Sequence, residues 1–250
     1  MHLAAYAELG IAADYLRLPI PAELFDEIVR ALPKSGFSGI NVTIPHKEAA
    51  LRVADDVSER AREIGAANTL TFDGESIRAD NTDAPALVAE LEQTTGIEGQ
   101  NVLVLGAGGT ARAAVWALRE AGAEVAVWNR TVERGQRLAR ELGVASVNST
   151  GGGVGYGVLV NTTAVGMDAT ASEQSVFESL GLRLDELPTT TVVVDFVYRD
   201  DGSELRNAAH RLGMPTVDGR DLLARQAALS FEIWFNRPPP LAAMRAALDS

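Results

Sequence analysis

The sequence predicts an α/β fold, and three observations carry that prediction. Short apolar runs of strand character alternate with amphipathic stretches of helical period along almost the whole chain. A glycine-rich turn, Gly106-Ala107-Gly108-Gly109, lies directly between one such run and one such stretch. With 250 residues, 46% of them hydrophobic, the chain can bury one large core or two modest ones.

Taken in order, MHLAAYAELG reads as the end of a helix closed by Gly10, followed by a strand through Tyr15, Leu16 and Leu18. PAELFDEIVRAL, residues 21–32, is an amphipathic helix with Pro21 placed for its first turn, where a missing N–H is harmless. In GINVTIPHKEAA, Ile40, Val42 and Ile44 alternate with Asn41 and Thr43 as in a half-buried strand, and a helix starts from about Pro45. Lys47 then falls in the first helical turn, where the helix dipole disfavours a cation, so something beyond local stability has to account for it. ANTLTFDGESIRADNTD forms two strands joined at Asp73-Gly74, a turn-forming pair.

A second part begins near Asn101. NVLVLGAGGTARAAVWALREAG is strand, glycine turn and helix, EVAVWNR the next strand, and TVERGQRLARELG the next helix. VLVNTT and TVVVDFVY are two further buried strands, and Trp116 and Trp128 are packing residues. GGGVGYG, residues 151–157, reads as a flexible connector. From about Asp221 to Ser250 the chain is helical, interrupted at Pro238-Pro239-Pro240.

Composition narrows the chemistry. The absence of cysteine excludes disulfides, thiolate nucleophiles and cysteine metal sites, and suits a reducing cytoplasm. The 3 histidines, at positions 2, 46 and 210, are too dispersed for a histidine-rich metal site, so no metal is expected. A formal charge of −12 argues against nucleic-acid or anionic-membrane partners, and no apolar run reaches membrane-spanning length. A cytoplasmic protein acting on a small molecule is expected.

Gly106 to Ala111 fits G-x-G-x-x-A in the strand-turn-helix context that a dinucleotide site requires. The first glycine permits the tight turn, Gly108 lets the backbone approach a pyrophosphate, and Ala111 allows close helix packing. Gly109 and Thr110 complete the turn. At the end of the next strand an NAD site would place Asp or Glu; here stand Asn129, Arg130 and Thr131. The guanidinium of Arg130 can grip a 2′-phosphate with no carboxylate to repel it, which predicts NADP as cofactor. Arg134, one turn along, is read either as a second clamp or as a solvated helix residue.

At this point the chain resembles the shikimate dehydrogenase family. NVTIPHK, GAANT, NTD, GAGGTARA, NRT, NTTAVGM, DFVY and GRDLLARQA occur in the family's order and at its usual intervals. The resemblance implies NADPH-dependent reduction of 3-dehydroshikimate to shikimate, in aromatic amino-acid biosynthesis. It implies two domains with the active site in a cleft between them. The substrate domain is expected at 1–84 plus about 222–250 and the Rossmann-like NADP-binding domain at 85–221. Lys47 falls on the family's catalytic lysine and Asp83 on its partner. Thr43, Asn68 and Asp83 match substrate-binding positions, and Tyr198 and Gln226 match further substrate contacts. Thr162, Gly166, Met167 and Gly219 fall where the family faces nicotinamide and ribose. His46 is left without a role.

Two departures from the family pattern stand out. The family's opening strand and a pair of serines separated by one residue should precede Met1, and residues 1–10 match the helix after them. Losing two such hydrogen bonds to a substrate carboxylate would cost about 3–6 kcal/mol, on the order of 10²- to 10⁴-fold in affinity. A start assigned too late, or a trimmed chain, is therefore expected. The second departure is Asp221, where the family commonly has glycine; a carboxylate there would crowd the nicotinamide or repel phosphate. Relaxed use of quinate, a catalytically silent NADP- or metabolite-binding homologue, and monomer or homodimer all stay open.

Overall fold

Two sheets organise the chain in the structure, a computed structural model that describes residues 1–168 and 170–248. The chain divides into one unit of Met1–Ala86 with Ala224 onward and a second of Leu87–Leu223.

The first unit holds α1 (His2–Leu9), α2 (Phe25–Ala31), β1 (Gly39–Asn41), α3 (Lys47–Val53), β2 (Asp56–Val57), α4 (Glu59–Ile64), β3 (Thr69–Asp73) and β4 (Ser76–Asp80). Its sheet runs β1-β3-β4-β2, antiparallel except where β2 lies parallel to β4. Alternation along β4 turns Ile77 and Ala79 inward, where they join Phe25, Val29, Val42, Val53 and Leu70 in one core. Gly39 is required by space. A Cβ there would lie 2.6 Å from Trp234 Nε1 and 2.7 Å from Leu70 O.

The second unit holds β5 (Asn101–Leu105), α6 (Gly109–Glu120), β6 (Glu124–Trp128), α7 (Val132–Leu142), β7 (Ala145–Ser146), β8 (Val158–Asn161), α8 (Glu173–Leu180), β9 (Val192–Asp195), α9 (Glu204–Arg211) and β10 (Thr216–Val217). Two helices carry the chain across the division, α5 (Asp83–Leu91) and α10 (Gly219–Phe235), and α11 (Leu241–Ala246) follows. The six strands are all parallel in the order β10-β9-β8-β5-β6-β7. Parallel strands are covered on both faces, so both side-chain registers are apolar. Val102, Val104, Val158 and Val160 enter one core with Ala111, Ala114 and Leu118 of α6, while Leu103, Leu105 and Leu159 enter the other. Strand order reverses between β5 and β8, which opens a crevice at their carboxyl ends, the place where such sheets bind ligands.

Several local expectations are corrected. Residues 11–20 form no strand: Leu16 and Leu18 are exposed, so no alternating buried set exists to dock that segment on a sheet. The NVTIP strand stops at Asn41, Ile44 is exposed, and a turn over 43–46 with a cis Ile44–Pro45 bond delays the helix to Lys47. The two-residue strands β2, β7 and β10 are too short to show a period in sequence. The expected helical tail is broken between α10 and α11 at the prolines, and Ser250 lies outside the described residues. Among the described residues no helix is long and apolar enough to cross a membrane, and no cluster of metal-ligating side chains occurs.

The GGGVGYG stretch is not a flexible connector. Gly152 and Gly153 are buried, Arg183 N donates to Gly152 O (3.1 Å), and Gly153 N donates to Thr150 O (2.9 Å). Gly153 has φ +90°, and a Cβ on it would lie 3.2 Å from both Leu159 Cδ1 and Leu187 Cδ1. Gly151 has φ +59° with open space around it. Gly151→Ala should therefore cost about 1 kcal/mol, for the left-handed backbone alone. Gly153→Ala should cost about 2–4 kcal/mol, because overpacking adds to backbone strain. Urea denaturation of the two variants checks this; equal losses would contradict the packed turn.

Candidate functional site

The residue order around Lys47 explains how a cation comes to start a helix. After β1, Val42 N donates to Asn68 O (2.7 Å), and the following turn is closed by His46 N to Thr43 O (2.9 Å). The His46 ring lies flat on Phe25, with 4.5 Å between ring centres, and its Nε2 sits 2.9 Å from Ile20 O. His46 thus anchors the turn, and Ala67 N donating to Lys47 O (2.8 Å) holds the first residue of α3. Lys47 Nζ meets Asp83 Oδ2 at 2.7 Å, with side chains only 11% and 7% exposed. Asp83 opens α5, where the helix dipole favours a carboxylate. Burying either side chain without the other would cost several kcal/mol, and the contact between the two offsets that cost.

Asn68 organises the rest of this site. Its Oδ1 accepts from Thr82 N (2.7 Å), which fixes the orientation of the amide, since only the oxygen can face an N–H. Its Nδ2 then faces Asp83 Oδ1 (2.9 Å), Thr82 Oγ1 (3.0 Å) and Gln226 Oε1 (3.2 Å). Two amide hydrogens serve three acceptors, so one acceptor can be given up to a ligand without leaving a donor bare. Behind Asn68 lies a set of hydroxyls. Ser230 Oγ accepts from Asn41 Nδ2 (2.7 Å), donates to Gln226 O (3.0 Å) and lies 2.9 Å from Thr69 Oγ1. Tyr15 OH donates to Asn41 Oδ1 (2.8 Å), and burial pushes that hydroxyl up to about 12, which keeps it a donor.

In the second unit, Gly106 follows β5 with φ +122°, and a Cβ there would lie 2.5 Å from Thr162 Oγ1. Thr162 Oγ1 in turn donates to Leu105 O (2.7 Å), seating the loop after β8 on the glycine turn. Gly108 caps α6 with open space around it and Gly109 begins the helix, an arrangement in which a phosphate can approach the helix N-terminus. Ala107 precedes them; Thr110 and Ala111 are buried against the sheet. Past β6, Asn129 Nδ2 donates to Thr131 O (2.8 Å), and Arg130 and Arg134 are exposed at the start of α7.

The structure brings Lys47, Asp83, Asn68 and Gln226 together in the first unit. Thr43 is exposed in the turn four residues before Lys47. In the second unit Gly166 is buried at φ +96°, while Met167 and Tyr198 are exposed. Gly219 begins α10; a Cβ on it would lie 2.4 Å from Val197 O. Asp221 sits half-buried in the first turn of α10, where the dipole favours it. Sequence reasoning did not single out Asn41, Thr82 and Ser230, or the carboxylate of Asp195. Asp195 accepts from Asn161 Nδ2 (2.9 Å), Val197 N (3.0 Å) and Ser203 Oγ (2.5 Å). The available signals were an acid closing a wholly apolar run, VVVD, and a serine inside the apolar stretch ALSFEI.

Comparison with known proteins places family models along the chain. Residues 1–70 match the shikimate dehydrogenase substrate binding domain, 88–195 the shikimate/quinate 5-dehydrogenase model, and 219–248 the shikimate 5′-dehydrogenase C-terminal domain. A shikimate dehydrogenase (NADP(+)) of Methylobacterium radiotolerans is 44% identical over 243 residues, covering 92% of this chain and 83% of the relative. The crystal structure of shikimate 5-dehydrogenase from Thermus thermophilus in complex with NADP(H) and shikimate is similar at TM-score 0.87 and 36% identity, covering 99% of this chain and 91% of that one. That of shikimate dehydrogenase from Aquifex aeolicus is similar at TM-score 0.91 and 31% identity, covering 100% and 91%.

Burial pushes the Asp195 carboxyl up to about 6; hydrogen bonds from Ser203, Val197 and Asn161 oppose the rise and the nearby Asp218 adds to it. The folded state therefore holds a proton that the unfolded chain releases near 3.8. The stability tied to this group is full below about pH 4 and is lost as pH rises through about 6. In Asp195→Asn that slope should vanish. Denaturation midpoints of wild type and variant between pH 4 and 7 check it, and parallel profiles would contradict the raised carboxyl.

Proposed function

This chain belongs to the shikimate dehydrogenase family, and from that premise we propose that it catalyses the reversible NADPH-dependent reduction of 3-dehydroshikimate to shikimate. The observation that carries the reading is the Lys47–Asp83 pair, a buried ammonium held by a carboxylate at 2.7 Å beside an amide with a spare acceptor. When bound, NADPH supplies hydride to the ketone carbon. Lys47 Nζ donates a proton to the oxygen on which alkoxide charge develops, and Asp83 keeps the ammonium aimed until then. In the oxidative direction the neutral amine of Lys47 takes the hydroxyl proton. Thr43, Asn68, Asp83 and Gln226 hold the substrate's hydroxyls, and Tyr198 is a further substrate contact.

The residues of the second unit fit a dinucleotide. Gly106 makes the tight turn on which Thr162 packs, Gly108 leaves room for the pyrophosphate at the first turn of α6, and Ala107, Gly109, Thr110 and Ala111 complete that turn. Arg130, beside Asn129 and Thr131, takes the 2′-phosphate, with Arg134 as a second clamp; these residues favour NADP over NAD. Thr162, Gly166, Met167 and Gly219 face the nicotinamide side. The reaction takes place in the cytoplasm, in a monomer or homodimer, without nucleic-acid or membrane partners. The match of residues 88–195 to a shikimate/quinate model favours a second reading, in which quinate is also accepted.

A spectrophotometric assay of shikimate and quinate with NADP and NAD tests both readings. Turnover confined to shikimate with NADP supports the first, turnover of quinate the second, and none with either alcohol refutes both. Lys47→Ala should lower kcat by about 10²- to 10⁴-fold and leave KM for shikimate within a few-fold. A change in KM alone would demote Lys47 to a binding residue. Arg130→Ala should raise KM for NADP about 10- to 100-fold and leave KM for shikimate unchanged. Equal KM values for NADP in wild type and variant would contradict the role of Arg130.

A further inference from the structure

We propose that Asp195 is a positioning residue of the dinucleotide site, its carboxylate locking the loops that follow β8 and β9 onto the glycine turn after β5. The proposal rests on the dinucleotide reading of the second unit and adds to it a residue that touches neither cofactor nor substrate.

The carboxylate joins the ends of β8 and β9 to the cap of α9, and Thr162, next to Asn161, carries the link on to the end of β5. Asp195 closes β9 and is buried, with Oδ1 accepting from Asn161 Nδ2 (2.9 Å) and Val197 N (3.0 Å) and Oδ2 from Ser203 Oγ (2.5 Å). Asn161 closes β8. Held by Asp195 on its amide side, it turns Oδ1 to Thr163 N (3.0 Å) and Thr163 Oγ1 (2.7 Å), which shapes the loop running through Gly166 and Met167. Thr162, between them, reaches Leu105 O and fills the space over Gly106. Ser203 caps α9 by accepting from Arg206 N (3.1 Å) while donating to Asp195, which ties the far end of the 196–203 loop to the same point. The backbone of this residue also seats α10, because a Cβ on Gly219 would lie 2.8 Å from Asp195 O. A second tie joins the same two loops, Arg199 Nη1 donating to Asp168 O (3.4 Å).

The chemistry explains the residue type. Three donors converge from three directions, and a carboxylate is the side chain that only accepts and has lone pairs to meet all of them. Asn keeps one acceptor oxygen for Asn161 Nδ2 and Val197 N, and its amide can donate to Ser203 Oγ, so it preserves the links. Alanine removes all three.

Calorimetric NADP binding and steady-state kinetics on Asp195→Ala, Asp195→Asn and Asn161→Ala test the proposal. Asp195→Ala should weaken NADP binding about 10-fold or more, with a parallel rise in KM for NADP and no change in KM for shikimate at saturating NADP. Asp195→Asn should restore NADP affinity to within a few-fold of wild type. Asn161→Ala should reproduce the split between the two KM values, and the double alanine variant should be little worse than either single one, because both break one link. A folded Asp195→Ala with unchanged NADP affinity, or with both KM values raised alike, would overturn the proposal. If Asp195→Ala does not fold, Asn161→Ala decides on the same readouts. Wild type that fails to bind NADP at all would instead overturn the dinucleotide reading.

Discussion

An ammonium and a carboxylate withdrawn from water each forfeit hydration that a low-dielectric surrounding does not replace. Lys47 and Asp83 stand where they do because they meet at 2.7 Å, and their neighbours follow from that contact. The other oxygen of Asp83 needs a donor and finds Asn68, whose own oxygen is taken by Thr82 N. Once the amide is oriented this way, its remaining hydrogen is directed to Thr82 and Gln226, and Ser230 completes the hydroxyl set from one turn further along α10. A cation at a helix start, unfavourable by the dipole alone, is thus made favourable by one partner and a chain of oriented dipoles.

The second unit solves a related problem with a buried carboxylate that, among the described residues, is met by uncharged donors. Uncharged donors on Asn161, Val197 and Ser203 converge on Asp195, and its carboxyl is raised because they do not fully replace the lost hydration. What the arrangement secures is position. Loops at the carboxyl ends of parallel strands carry backbone groups without ladder partners, and side chains such as Thr162 and Asn161 satisfy them while holding the glycine turn open. Glycine is needed at Gly106 because a threonine oxygen occupies the space a Cβ would take.

Much of this was legible along the chain. The wholly apolar runs of β5, β8 and β9 announce strands covered on both faces, and the Gly106 turn between strand and helix announces a phosphate cradle. Arg130 is exposed just past β6, at the position where an NAD site needs an acid. Residues 11–20 misled because apolar side chains at Leu16 and Leu18 are not thereby buried, and the triple glycine misled because composition cannot distinguish a loose loop from a turn packed on Leu159 and Leu187. The strands β2, β7 and β10 are two residues each, below the length at which alternation carries information.

Sequence alone determined the α/β class, the order of the main strands and helices, the dinucleotide turn and the family, because period, turn chemistry and motif order are written in neighbouring residues. The family resemblance already paired Lys47 with Asp83; tertiary structure alone decided the geometry of that pair and which other polar groups meet. Lys47 and Asp83 are 36 positions apart, Asn161 and Asp195 34, and Asn68 and Gln226 158. Hydrogen bonds reach only about 3 Å, so a pairing across such separations exists only once the sheets have brought the strand ends together.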